Sequence, residues 1–176
     1  LHTTVNLPIK AIRGAIRGTI YVRKDGAFLD NNTTGIQNTN KNSISGGRLS
    51  AKSWLSKKIE ATISYITQKF DAKDADWYNP DVGKYIRTTD VMEKNYSNNT
   101  VISSSIKYHF NLGTISLISG YYHNSFKRDL EVGRYPVILG AQQGQFRKVI
   151  LPTFLTSKGF SEEIRFVTKK DRKIRL

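Results

Sequence analysis

Apolar and polar residues alternate with a period of two along most of this chain, while helical spacing is scarce. From Ala15 to Lys24, Ile16, Gly18, Ile20 and Val22 fall on one face, and Arg17, Thr19, Tyr21 and Arg23 on the other. Ser45 to Trp54 is a weaker case, with Leu49 and Ala51 set against Arg48, Ser50 and Lys52. The clearest is Lys58 to Phe70, where Ile59, Ala61, Ile63 and Tyr65 oppose Glu60, Thr62 and Ser64. Thr100 to Phe110 sets Ile102, Ile106, Tyr108 and Phe110 against Val101, Ser103, Ser105, Lys107 and His109. Ile115, Leu117 and Tyr121 share a face within Thr114 to Phe126, and Ile164 and Phe166 oppose Glu163 and Arg165 within Phe160 to Thr168. Six strands are therefore expected, with fragments of others at each end.

The links between them are short and long in turn. Asn6 to Lys10 is short and Asp25 to Asn42 long; Leu55 to Lys57 is short and Asp71 to Asn95 long. Asn111-Leu112-Gly113 is a tight turn, Lys127 to about Ser157 is long, and Lys169 to Arg172 closes the series as a turn. Unstructured links beyond about 12–15 residues are uncommon in soluble domains. Outer-membrane barrels, in contrast, have short periplasmic turns, long external loops and strands that run up and down in sequence. Several of the expected strands exceed the roughly 9–11 tilted residues that cross a hydrocarbon layer. Trp54, Tyr108 and Phe110 near the short turns, and Phe70, Tyr96 and Phe126 near the long links, read as two interfacial girdles. The fold class expected is all-β: an antiparallel up-and-down meander forming an open arc of a transmembrane β-barrel.

Composition agrees with strands and narrows the chemistry. The chain is 38% hydrophobic and 11% aromatic, with abundant Ser, Thr and Asn. Its net charge of +14, from 28 Lys and Arg against 14 Asp and Glu, raises anionic partners of several kinds. The basic residues are dispersed, with no basic helix and no RNA-recognition strand, so nucleic acid is not expected. Without cysteine there is no disulfide, zinc–thiolate site or cysteine nucleophile. No apolar run is long enough for a membrane helix, which leaves alternating strands untouched.

No constellation for catalysis, cofactor or metal binding emerges, and an enzyme is not expected. His109 and His123 lie on adjacent strands where they would be able to approach, but a metal needs more ligands. Glu162-Glu163 and Asp74-Asp76 are not a dyad, since strand neighbours point to opposite faces. Asp71, Asp74, Asp76 and Asp81 lack the glycine and final glutamate of a calcium loop. Asn31-Asn32 and Asn38 to Asn42 read as solvated loop turns, with amides presented to a ligand as the lesser option.

An ordered series of motifs resembles TonB-dependent outer-membrane receptors of the siderophore-receptor kind. It runs from Val5-Asn6-Leu7-Pro8 and Ala11-Ile12-Arg13 through Asp25-Gly26-Ala27-Phe28-Leu29-Asp30-Asn31, Gly35 and the Asn40 region to Gly46-Gly47-Arg48-Leu49. Tyr65 to Gln68, His109-Phe110-Asn111-Leu112-Gly113 with Ser116 to Tyr121, and Glu162-Glu163-Ile164-Arg165-Phe166 follow in order. The resemblance spans nearly all of residues 1–176 and implies one partial barrel domain, without the family's plug, TonB box or C-terminal strands. Such receptors close about 22 strands, so this chain is expected to be a fragment or the product of a truncated gene, unable to close a pore alone.

The family fold implies a Gram-negative outer-membrane location and energy-coupled uptake of a scarce large nutrient, a ferric siderophore first among the candidates. The TonB complex would act through the missing plug, and lipid and lipopolysaccharide would surround the wall. Arg17, Arg23, Arg48, Lys52 and Lys107 would then point into the lumen, holding the plug or concentrating an anionic chelate, unless they merely solvate the interior. The rival expectation is a soluble, basic β-rich module for polyanions such as nucleic acid or acidic polysaccharide, which explains the charge but not the alternation of links.

Overall fold

The computed structural model describes residues 1–133 and 148–169. One antiparallel sheet dominates it: β1 (His2–Ile9), β2 (Gly14–Asp25), β4 (Asn42–Trp54), β5 (Ile59–Ala72), β7 (Asn95–His109), β8 (Gly113–Glu131) and β9 (Ile150–Thr168). These seven strands lie side by side in chain order, and the sheet is open between β1 and β9. The short strands β3 (Asp30–Asn31) and β6 (Ile86–Arg87) pair in parallel in a separate two-stranded sheet. The fold is thus the all-β, up-and-down open arc expected from the alternation.

Two boundaries differ from the sequence reading. Asn6 to Ile9 is not a link but the end of β1, and the turn is Lys10 to Arg13, closed by Arg13 in the left-handed region at φ 47. Pro8 disguises that strand; it sits on an outer strand, as does Pro152 of β9, where a missing N–H costs no interior ladder bond. The link after Lys127 is also shorter than expected. β8 continues to Glu131 and β9 begins at Ile150, so Lys127 pairs with Phe154. The closing turn expected at Lys169 to Arg172 lies outside the described residues beyond Lys169.

The pairing runs without a slip across all seven strands. One row, for instance, reads Val5, Gly18, Leu49, Tyr65, Ile102, Tyr121 and Phe160. Because side chains alternate, such a register keeps each face uniform from edge to edge. Neither face is covered by a second layer. Only Leu29, Ala72 and Val132 are buried apolar residues among those described, and none belongs to the apolar rows. The chain exposes 12546 Å², against about 8,700 Å² for a compact monomer of 20.0 kDa.

On the polar face an aromatic ring twice lies over a glycine of the next strand. Tyr21 crosses Gly46 to donate a hydrogen bond to Gln68 Oε1 at 2.7 Å, and Tyr122 covers Gly159. A Cβ at Gly46 would stand 2.6 Å from the Tyr21 hydroxyl and 2.5 Å from the Thr67 carbonyl, whereas one at Gly18 meets nothing. Gly46→Ala is therefore expected to cost about 1–3 kcal/mol by overpacking, and Gly18→Ala to be neutral or slightly stabilising. Denaturant unfolding of the two variants in parallel checks this; equal effects would contradict it.

Candidate functional site

Period two, held in register, sorts the sheet into one apolar and one polar face. Leu7 and Ile16, Leu49, Ile63 and Tyr65, Ile102, Ile106 and Tyr108, Ile115, Leu117 and Tyr121, and Phe160, Ile164 and Phe166 all fall on the first. Most are markedly exposed: Ile63 54%, Ile106 49%, Phe160 67%, Ile164 78%. Ser104, Ser119 and Glu162 interrupt this face in a single row, with the carboxylate on the outermost strand. At the short-turn end Phe110 stacks between Tyr108 and Phe166, centroids 5.7 and 5.9 Å away. The second aromatic level is not as expected. Tyr96 lies on the apolar face with Phe154, but Phe70 and Phe126 pair onto the polar face. Trp54 lies on the polar face as well, tilted against His109.

Arg17, Arg23, Arg48, Lys52 and Lys107 share the polar face. They do not form one site. Lys52 and Lys107 converge on Glu60, with Nζ at 2.8 and 3.4 Å from its two carboxylate oxygens. Glu60 is 7% exposed, a sheltered carboxylate held between two partly exposed lysines. Arg23 is engaged by Asp25 at 2.7 Å. Arg48 donates to Ser50 Oγ, which pairs with Ser64 Oγ at 2.9 Å, and Arg17 stands opposite Ser50 in register. Below the loops, Ile44 and Phe70, then Phe126 and Leu155, with Ser97 between the two pairs, make a largely apolar row on this face.

His109 and His123, on adjacent strands, do not approach each other. His109 meets Thr114 Oγ1 at 3.0 Å on the polar face, while His123 pairs with Thr100 and Lys158 on the other. Glu163 is held by Arg165 at 2.6 Å. Among the described residues no group of three or more acidic or imidazole side chains is placed to hold a metal.

Sequence reasoning missed the most buried chemistry of the molecule, which lies in the long links. Segments 26–41 and 73–94 join through β3 and β6, with Arg87 fully buried between them. Its Nη1 donates to the carbonyls of Ala75 and Trp77 at 3.0 and 2.9 Å, and its Nη2 to Glu93 Oε2 at 2.9 Å. Its Nε lies 3.3 Å from Asp74 Oδ2, and its guanidinium stacks 4.3 Å from the Trp77 ring centroid. Trp77 Nε1 also donates to Glu93, whose other oxygen accepts the Glu131 N–H. Asp74 is thereby a structural counter-ion.

The asparagines are structural too. Asn31 donates to Thr89 and accepts from the Thr33 and Thr34 N–H groups, and Asn40 accepts from those of Phe28 and Leu29. At 1% and 4% exposure these two amides face inward rather than toward a ligand. No local pattern marks Arg87, because the partners of its side chain, Asp74, Ala75, Trp77, Thr89 and Glu93, stand at no regular spacing from it.

No family model, curated protein or solved structure matches the chain.

Removing one member of a buried ion cluster leaves the others uncompensated. Arg87→Met is expected to destabilise the joined links by about 3–5 kcal/mol. Hydrogen exchange should rise across 26–41 and 73–94 while the strands β4, β5 and β7 stay protected. Uniform loss of protection over the sheet would contradict a locally held cap.

Proposed function

We propose that the chain is wall of an outer-membrane β-barrel of the TonB-dependent receptor kind, serving energy-coupled uptake of a scarce nutrient such as a ferric siderophore. The observation that carries the membrane part is the apolar face. Tyr65, Tyr108, Tyr121, Phe160 and Phe166 are between 36% and 67% exposed, and these rings alone present on the order of 450 Å² at about 200 Å² per residue. That equals the largest apolar patch of a typical soluble monomer, about 300–600 Å², before any aliphatic side chain is added. Lipid is the solvent that removes the penalty.

Three further features support this reading. The described short turns lie at one end of the meander and the long links at the other. The opposite face is hydroxylic, amidic and charged, suited to a watered interior. The long links are folded through the Arg87 cluster, as an external cap would need. The receptor family and its cargo rest on the ordered motifs quoted above. On this reading the five polar-face cations named from the sequence act mainly on Glu60, Asp25 and the serine row, leaving Arg17 and Arg48 among them nearest to a lumenal anion.

Flotation with phosphatidylcholine vesicles tests the membrane role. The chain should require detergent after extraction and float with the vesicles. Ile63→Arg, on the apolar face, should weaken that association by about 2–4 kcal/mol, while Thr62→Arg, one residue along and facing the other way, should change it little. Full solubility without detergent would sink the proposal and favour the basic polyanion-binding module. The receptor assignment is tested separately by sequencing the flanking DNA for a plug domain upstream and further strands downstream.

A further inference from the structure

The apolar face changes character toward the long links, and the change is ionic. Lys24, Lys69 and Lys127 lie on that face toward its long-link end, and Lys158 lies on it at the middle of β9. The ladder continues one residue further, with Lys73 N–H bonded to the Lys41 carbonyl and Asp129 N–H to that of Lys94, each at 2.9 Å. Lys41, Lys73 and Lys94 therefore join the same face. All seven lysines are exposed. Lys73 pairs with Asp71 at 3.2 Å and Lys127 covers the Phe154 ring. Lys24, Lys41, Lys69, Lys94 and Lys158 have no ion-pair or hydrogen-bond partner among the described residues. No lysine stands in the apolar rows below them, and at the opposite end Lys10, Lys57 and Lys58 sit in turns.

Two concavities lie on this face over β2, β4 and β5, the lower one reaching β1 as well. The upper, about 320 Å³, is lined by Lys24, Lys41, Lys73, Ser43 and Asp71. Asp25 also borders it but is engaged by Arg23, so three ammonium groups face one carboxylate, Asp71, which pairs with Lys73 and leaves Lys24 and Lys41 uncompensated. The lower, about 500 Å³, is a groove over Gly18 and Gly47 walled by Val5, Ile20, Leu49 and Tyr65. At about 3.3 Å per residue, Lys24 lies roughly 20 Å along β2 from Gly18. With strands tilted about 35–45° this is roughly 15 Å along the membrane normal, the hydrocarbon thickness of one leaflet.

We infer that the outer face of β2, β4 and β5 binds a phosphorylated membrane lipid. Its acyl chain lies in the Gly18–Gly47 groove and a phosphate monoester sits among Lys24, Lys41 and Lys73. The excess of two positive charges fits a phosphate dianion better than the single charge of a phosphodiester. Acylated glucosamine phosphates, the lipid A headgroups of lipopolysaccharide, carry that chemistry in the leaflet that the long links would face. The inference rests on the membrane reading above and deepens it by naming the lipid.

The test uses the full chain in phosphatidylcholine nanodiscs doped with lipid A, with lipid A stripped of its phosphates, or with phosphatidylglycerol, and measures retained lipid by native mass spectrometry. Lipid A should be held preferentially. Lys24→Gln, Lys41→Gln and Lys73→Gln together should weaken it roughly a hundredfold, at about a fivefold loss for each lysine. Gly18→Val, whose side chain would enter the open groove, should weaken retention of phosphorylated and dephosphorylated lipid alike. Lys10→Gln with Lys57→Gln and Lys58→Gln should leave retention unchanged. Equal retention of dephosphorylated lipid or of phosphatidylglycerol, or no effect of the upper lysine triple, would overturn the inference while the membrane reading stood. A chain that never enters phosphatidylcholine discs would overturn both.

Discussion

Everything in this molecule depends on a sheet register that holds across seven strands although no second layer packs against either face. In a soluble domain a buried core punishes register slips, because a one-residue shift turns every core side chain outward. Here the described core is three small or medium apolar residues, too little to enforce anything of the kind. What remains is the ladder itself, the cross-strand contacts such as Tyr21 over Gly46, and the difference between the two faces. That difference contributes to stability only if the two faces meet different solvents. In uniform water the apolar rows gain nothing from facing one way rather than the other. Between lipid and a polar interior, a slip by one residue would drive Ile63, Ile106 and Leu117 into the polar side and the Lys52–Glu60–Lys107 cluster into hydrocarbon.

The long links obey a different rule. They have no apolar face to bury, so their ordering comes from hydrogen bonds and ion pairs around one guanidinium. Arg87 donates to two carbonyls and to Glu93, lies at ion-pair distance from Asp74 and stacks on a ring face, and those carboxylates in turn hold backbone N–H groups of Ala75, Glu93 and Glu131. A buried cluster of this kind adds little net stability over an apolar equivalent but fails sharply when one member is lost. It suits a segment that must keep a defined shape while facing water on its outside.

The strands were legible in the sequence because alternation is a local signal, and the six expected ones appear with the predicted residues on each face. β1 was obscured by Pro8, which reads as a break until its place on an outer strand is known. Phe70 and Phe126 were assigned to a girdle from their distance along the strands alone, yet their parity with Thr62 and Ser116 puts them on the polar face. The Arg87 cluster was invisible for a stronger reason. Asp74, Arg87, Glu93 and Glu131 have no fixed spacing, and only the pairing of β5 with β7 and β7 with β8 brings their links together. The five cations named from the sequence lie on one face as expected, but alternation says nothing about the carboxylates that neutralise them.

That last point redirects the meaning of the net charge. A formal +14 suggests an anion-binding interior, yet on the polar face Lys52 and Lys107 share Glu60, and Arg23 is matched by Asp25. Arg17, Arg48 and Arg128 stand there without an ion-pair partner among the described residues. The unpaired ammonium groups are concentrated instead on the apolar face, at the end where the long links emerge. Charges left unpaired on a surface repel one another unless something outside the chain neutralises them. Cations bordering an apolar band, on one face and at one end, answer the geometry of a lipid leaflet with anionic headgroups more closely than that of a soluble anion in the interior. The basicity of this chain is therefore chiefly a property of its outer surface, and any selectivity for a lumenal ligand has to come from few groups: Arg128, and Arg17 and Arg48 with the Ser50–Ser64 row between them.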